Sequence, residues 1–223
     1  MNSSNNPRIL ITAGPTYERI DPVRFIGNYS SGKMGAALVQ ECLNRGMEVE
    51  LVLGPVSRDF TFTHSEHLNI TNIESAQQMY EACQRIYPQM DAAILCAAVA
   101  DFTPVEVSDK KIKRKGDELV IHLRPTQDIA ASLGKIKTEH QVLSGFALET
   151  NDEQQNATDK MRRKRFDFIV LNSLNDEGAG FRHDTNKITI ITEEGQREYP
   201  LKSKTECAVD IVDVLVEKLL KTR

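Results

Sequence analysis

The chain predicts an α/β fold of three layers, helix–sheet–helix, built on a mainly parallel sheet with a C-terminal antiparallel hairpin and a projecting β-hairpin arm. Three observations carry this reading. Short apolar runs that stop at glycine or proline alternate with stretches of helical period. Such alternation favours parallel strands covered by helices on both faces, with ligands bound beyond the carboxyl ends of the strands. One segment, Asp101 to Leu123, breaks the alternation.

Taken in order, Arg8 to Thr12 is a strand closed by Ala13-Gly14-Pro15, and Val49 to Leu53 is a strand closed by Gly54-Pro55. Between them a helix runs from about Lys33 to Arg45, with Met34, Leu38 and Cys42 on one face, Gly46 at its end, and Gly35, Ala36 and Ala37 allowing close approach to the sheet. Ser75 and Gln78 have capping-box spacing, so a second helix runs to about Ile86 before the strand Ala92 to Cys96. A helix near Asp128 to Lys135, a strand Val142 to Phe146, a helix from about Glu153 to Arg165 and a strand Phe168 to Leu171 follow. Lys187 to Thr192 and Arg197 to Leu201 flank Glu194-Gly195 as a hairpin, and Ser203 with Glu206 caps a last helix carrying Val209, Val212, Leu215, Val216, Leu219 and Leu220 as its core stripe.

The arm, about residues 103–123, begins with the basic run Asp109 to Lys115, passes Gly116-Asp117, and ends with Leu119, Ile121 and Leu123 alternating with Val120 and His122. Arms of this kind close over a ligand or pair with another subunit. The 223 residues, 40% hydrophobic, supply one good core, and residues 1–223 read as one domain. No apolar run reaches the roughly 20 residues of a membrane span, and Met1 to Pro7 lacks the apolar centre of a signal peptide. These features predict a cytoplasmic protein with no membrane partner. A net charge of −4 argues against general nucleic-acid binding. Cys42, Cys83, Cys96 and Cys207 lack the paired spacing that holds zinc and read as buried thiols. His64, His67, His122, His140 and His183 show no metal-ligand spacing and read as surface residues, so no protein metal site is expected.

The most informative stretch is Asp21 to Gly35, which sets amides, two hydroxyls, a guanidinium and an ammonium just before the first helix. A helix N-terminus has unpaired N–H groups and partial positive charge, so a glycine and serine turn there suits a phosphate. Gly27 and Gly32-Lys33 fit a P-loop except at Met34, where magnesium needs Ser or Thr, and Gly14 to Ile26 separates the motif from its strand. A nicotinamide-dependent reductase on a dinucleotide fold lacks its three-glycine fingerprint and its ribose-binding acid. That reductase and a noncatalytic nucleotide-binding module stand as the alternatives.

From Leu10 to Thr16, Asp21 to Gly35, Cys96 to Phe102, Lys111 to Lys113 and Gly145 to Thr150, the chain closely resembles the phosphopantothenoylcysteine synthetase (phosphopantothenate–cysteine ligase) family, in its free-standing bacterial-type form. The resemblance implies a Rossmann-like fold and a two-step ligation in coenzyme A biosynthesis. The carboxylate of 4′-phosphopantothenate attacks the α-phosphate of CTP, or of ATP, and L-cysteine then displaces the nucleotide to form an amide. It implies CTP ahead of ATP, Mg2+ arriving with the triphosphate, and no flavin.

Residue roles carry over as expectations of that resemblance. Gly14, Ser30, Gly32 and Gly35 would face the nucleotide phosphates, and Asn28 would hold the activated acyl carbonyl, mainly for amide formation. Arg24 would reach phosphopantothenate in the neighbouring subunit of a homodimer. Ala97, Ala98 and Asp101 would line the pocket shared by nucleotide and pantothenate, and Lys111 would be the arm's essential cation. Thr126, Gln127, Asp128 and Ile129 would form the nucleotide-binding turn, which in the family more often begins Asn-Pro-Asp. Phe146, Lys160, Lys164 and Asn172 would complete the nucleotide contacts. Pro15 stands where the family commonly has a second glycine.

Overall fold

The computed structural model describes residues 6–57, 62, 65–114, 116, 118–149, 151–173 and 184–222. His64, His183, Lys115, Asp117 and Thr150, named above, lie outside them. The principal elements are β1 (Arg8–Ala13), α1 (Lys33–Asn44), β2 (Glu48–Leu53), β3 (Leu68–Asn72), α2 (Ala76–Ile86), β4 (Ala92–Leu95), α3 (Ile129–Ile136), β5 (Val142–Glu149), α4 (Glu153–Lys164), β6 (Phe168–Ser173), β7 (Ile188–Thr192), β8 (Gly195–Glu198) and α5 (Lys204–Thr222).

The strands form one eight-stranded sheet in the order β8-β7-β6-β5-β4-β1-β2-β3. Strands β1 to β6 pair in parallel, whereas β7 and β8 are antiparallel additions. The chain starts mid-sheet, moves outward through β2 and β3, then returns to the other side of β1 and moves outward again through β4, β5 and β6. That reversal between β1 and β4 is the topological switch point of a Rossmann-like sheet, where ligands are received beyond the strand ends.

Side-chain alternation along the strands builds a core on each face. Ile9, Ile11, Val49 and Leu51 pack with Leu38 of α1 and Ile211 and Leu215 of α5. Leu10, Val52, Leu143 and Ile169 pack with Met79 of α2, Leu133 of α3 and Met161 of α4. Helix α1 approaches β1 so closely that a Cβ added at Gly35 would lie 2.3 Å from the Cβ of Ala13. Gly35→Ala should therefore lower stability by about 1–3 kcal/mol through overpacking. A denaturant titration checks this: the unfolding midpoint falls while the slope stays unchanged.

Two helix starts carry the caps legible in sequence, and a third is capped by Asp128. Ser75 and Gln78 form a complete capping box. Asp128 accepts the Ala131 N–H at 2.9 Å, and the Ser203 and Glu206 side chains each accept the other's amide, at 3.2 and 3.0 Å.

Two expectations need correction. The arm is not a hairpin along its length: Phe102–Pro104 pairs with Leu123–Pro125 at its base, the Val105 N–H reaches the His122 carbonyl at 2.9 Å, and Leu119 and Val120 stand exposed outside any strand. Among the described residues no sheet covers them. The C-terminal hairpin turns earlier than expected, since Gly195 already pairs with Thr192, and its second strand ends at Glu198 before Pro200. The stretch between β1 and α1 also has structure of its own, with Tyr17–Arg19 pairing against Phe25–Gly27 and the Tyr17 and Phe25 rings stacked 3.8 Å apart. Among the described residues no helix is long and apolar enough to cross a membrane.

Candidate functional site

Beyond the switch point the ends of β1 and β4 run on side by side. The Ala98 N–H donates to the Gly14 carbonyl at 2.9 Å and the Thr16 N–H to the Ala98 carbonyl at 3.3 Å. Two threonine hydroxyls take the next amides: Thr12 Oγ1 accepts from Ala97 at 3.2 Å and Thr16 Oγ1 from Ala100 at 3.0 Å. These bonds hold residues 97–101 as a wall with a cavity on either side, of about 320 Å³ and about 360 Å³. Ala97, Val99, Asp101, Phe146 and Lys160 line both, so the cavities form adjoining halves of one groove.

The first half gathers Thr126, Gln127, Asp128 and Ile129 with Phe146, Lys160 and Lys164. The turn is fixed by the Thr126 hydroxyl donating to the Ala100 carbonyl at 2.7 Å and the Thr126 N–H donating to the Asp101 carbonyl at 2.9 Å. Lys160 Nζ donates to the Phe146 carbonyl at 2.9 Å, and Lys164 is ion-paired with Asp128. Burial pushes the Asp128 carboxyl up, but Lys164 and the Ala131 amide outweigh that and hold it below the usual range.

The second half is lined by Asn28, Ser30, Gly32 and Gly35 from the loop before α1, by Ala98 and Asn172, and by Lys33, Lys160 and Lys204. Gly32 caps α1 in the left-handed region (φ 78°), and the first turn has neither an acidic residue nor a side-chain cap. Among the described residues no carboxylate caps its first amides, which favours an incoming anion. Lys204, only 8% exposed, enters from the N-terminus of α5, and its ammonium is held below the ordinary lysine value by burial and then by the neighbouring Lys33 charge. Lys33 is paired with Asp184. Cys96 also lines this half, with burial pushing its thiol up to about 12. Asn28 donates through Nδ2 to the Ala98 and Val99 carbonyls, both at 3.1 Å. Two carbonyl oxygens can face only the amide nitrogen end, so the polar atom left for a ligand is the acceptor Oδ1.

Three expected site residues line neither half. Gly14 takes a left-handed turn (φ +79°) against Gly54 and Val56, where an added Cβ would meet both at 3.1 Å. Arg24 is bound to Asp21 and to the Ile112 carbonyl of its own chain. Lys111 stands exposed on the arm. Conversely, Lys204 was absent from the sequence expectations. A lysine at the first position of a helix is an unfavourable placement against the dipole, and that anomaly was the available signal.

The model of the DNA/pantothenate metabolism flavoprotein C-terminal domain family matches residues 4–219. A Cysteine/Cysteine sulfinic acid decarboxylase from an unknown prokaryotic organism is 55% identical over 209 residues, which are 93% of this chain and 57% of that protein. The Coenzyme A biosynthesis bifunctional protein CoaBC of Haemophilus influenzae is 41% identical over 214 residues, 96% of this chain and 52% of its own length. The crystal structure of the C-terminal domain of a CoaBC protein is 40% identical, with a TM-score of 0.79, covering 98% of this chain and 100% of that one. The chain thus spans little more than half the length of the curated relatives it matches. By this match the chain belongs to the DNA/pantothenate metabolism flavoprotein C-terminal domain family and is homologous to the C-terminal domain of CoaBC.

Proposed function

We propose that the chain is the ligase of coenzyme A biosynthesis that joins 4′-phosphopantothenate to L-cysteine through an acyl-nucleotide. The observation that carries the reading is the divided groove at the switch point, whose second half combines an uncapped helix N-terminus with Lys33, Lys160 and Lys204 in a chain of net charge −4. Such a half suits a polyanion, and the adjoining half suits the rest of the nucleotide. A carboxylate becomes an acyl donor only when its oxygen is made part of a leaving group, and aligned cations lower the barrier to bringing two anions together.

In this reading Ser30, Gly32, Gly35, Lys33 and Lys204 hold the triphosphate. Thr126, Gln127, Asp128, Ile129, Phe146, Lys160 and Lys164 receive the nucleoside, CTP ahead of ATP, with Asn172 at the phosphate end. Ala97, Ala98 and Asp101 form the wall against which the acyl group is transferred. Among the described residues no group of three or more His, Cys, Asp or Glu side chains is placed to hold a metal. Mg2+ would be held by the phosphates, with Asp101 lining both halves, and would neutralise phosphate charge. Asn28 acts in the second step. Because its nitrogen is committed to Ala98 and Val99, Oδ1 accepts an N–H from the cysteine amine and aims the nitrogen lone pair at the acyl carbon. Arg24 and the exposed arm serve a neighbouring subunit in a homodimer.

Incubation with phosphopantothenate, cysteine, Mg2+ and each nucleotide, with mass detection, tests the reading. Formation of phosphopantothenoylcysteine with nucleoside monophosphate and pyrophosphate supports it. Carbon dioxide release from cysteine sulfinate, with no nucleotide requirement, would instead favour the chemistry named for the 55% identical relative. Lys204→Met should weaken nucleotide binding about tenfold or more, as expected on losing a charged hydrogen bond. Calorimetric titration measures this, and because Met fills a similar volume without a buried charge, the fold should be retained.

A further inference from the structure

Two cations placed outside the groove are related through one buried carboxylate, which binds Arg24 and the backbone of Ile112, the residue after Lys111. Asp21 is 2% exposed. Its Oδ1 accepts the Val23 and Arg24 amides at 2.8 and 2.9 Å. Its Oδ2 accepts Arg24 Nε at 2.9 Å, Arg24 Nη2, and the Ile112 N–H at 3.1 Å. Arg24 Nη2 in turn donates to the Ile112 carbonyl at 2.7 Å. The N–H and C=O of a single arm residue are therefore both gripped by one ion pair from a distant segment. The Ser108 N–H adds a bond to the Ile20 carbonyl at 3.0 Å.

Ile112 directly follows Lys111, and the held N–H belongs to the peptide that joins the two. None of the described contacts holds the Lys111 side chain itself, so its direction is set by the backbone. We propose that Asp21 is a positioning residue: with Arg24 it clamps the peptide next to Lys111 and fixes where that ammonium points. This rests on the reading above in which Lys111 assists acyl-nucleotide formation. Arg24 and the surrounding amides hold the Asp21 carboxyl well below the usual carboxylate range, which keeps the clamp charged throughout the pH range of an enzyme assay.

Asp21 also shapes the turn through the Val23 and Arg24 amides, and Asp21→Asn separates the two roles. The asparagine can keep Oδ1 for the turn, but it presents an NH2 where Arg24 and the Ile112 N–H need an acceptor. Amide exchange at Ile112 should rise about tenfold on loss of that charged hydrogen bond, and tryptic cleavage after Lys111 should quicken. The kcat of pyrophosphate release should fall about 10- to 100-fold, as misplacement of a catalytic group implies, while the nucleotide KM stays within about twofold because the groove is untouched. Ile112→Pro, which removes the N–H and leaves the Asp21–Arg24 pair intact, should reproduce the kinetic loss. Unchanged exchange at Ile112 in Asp21→Asn would overturn the clamp. Faster exchange with unaltered pyrophosphate release would overturn its part in positioning Lys111. If the wild-type protein releases no pyrophosphate, the ligase reading and the catalytic part of Asp21 fall together, while the exchange rate still decides whether the clamp exists.

Discussion

Lys111→Gln should lower acyl-nucleotide formation by about 10²-fold or more, the usual scale for removing a group that stabilises developing charge. The reason lies in how the other cations are committed. Lys33 is paired with Asp184, Lys164 with Asp128, and Lys160 donates to the Phe146 carbonyl. These groups belong to the walls and can hold a ground-state polyanion. The α-phosphate under attack gains negative charge only in the transition state, and a cation aimed at it from outside the groove is what the walls lack. Glutamine keeps much of the reach and a donor but removes the charge. Single-turnover release of pyrophosphate should therefore slow, with nucleotide affinity changed little, and amide formation should fall with it because the second step waits on the first. Wild-type pyrophosphate release in Lys111→Gln would remove the arm from the chemistry.

The layered fold was readable because its signals are local and periodic. Apolar β1 and β2, the Ser75–Gln78 capping box, and the Ser203–Glu206 cap each dictate an element without reference to the rest of the chain. β3 was not legible because Leu68–Asn72 is, among the described residues, an edge strand paired with β2 alone, largely exposed and half polar. The pair Tyr17–Arg19 and Phe25–Gly27 was hidden for a related reason: each strand has three residues, too few for alternation to show. In the site, the Ser30 to Gly35 loop was legible because a glycine and serine turn before a helix has one obvious electrostatic use. Lys204 was not, since only the sheet order brings the start of α5 to the same cavity as the start of α1. The arm misled because alternating Leu119, Ile121 and Leu123 has strand periodicity, whereas the segment is tied to the 20–24 turn by one bond from Ser108 and two at Ile112.

Asn28→Asp should separate the two chemical steps. Pyrophosphate should still be released, up to about one equivalent per site on the first turnover, because the phosphate-holding groups of the loop and of α5 do not depend on the Asn28 side chain. Amide formation should fall by about 10²-fold. A carboxylate at position 28 has no donor for the Ala98 and Val99 carbonyls that Nδ2 now satisfies at 3.1 Å. Oxygen would face oxygen, and the new side chain should swing away from the wall. Where it still meets the cysteine nitrogen, its negative charge favours the ammonium form, which has no lone pair to attack the acyl carbon. Asn28→Ala, which carries no charge, provides the control. If Oδ1 orients the amine, the Ala variant should also accumulate acyl-nucleotide, and raising the pH should recover activity in the Asp variant more than in the Ala variant. Quenched-flow mass analysis of the bound acyl-nucleotide measures both. Equal loss of pyrophosphate and amide in Asn28→Asp would place Asn28 in the first step and reject the assignment of Oδ1 to the amine.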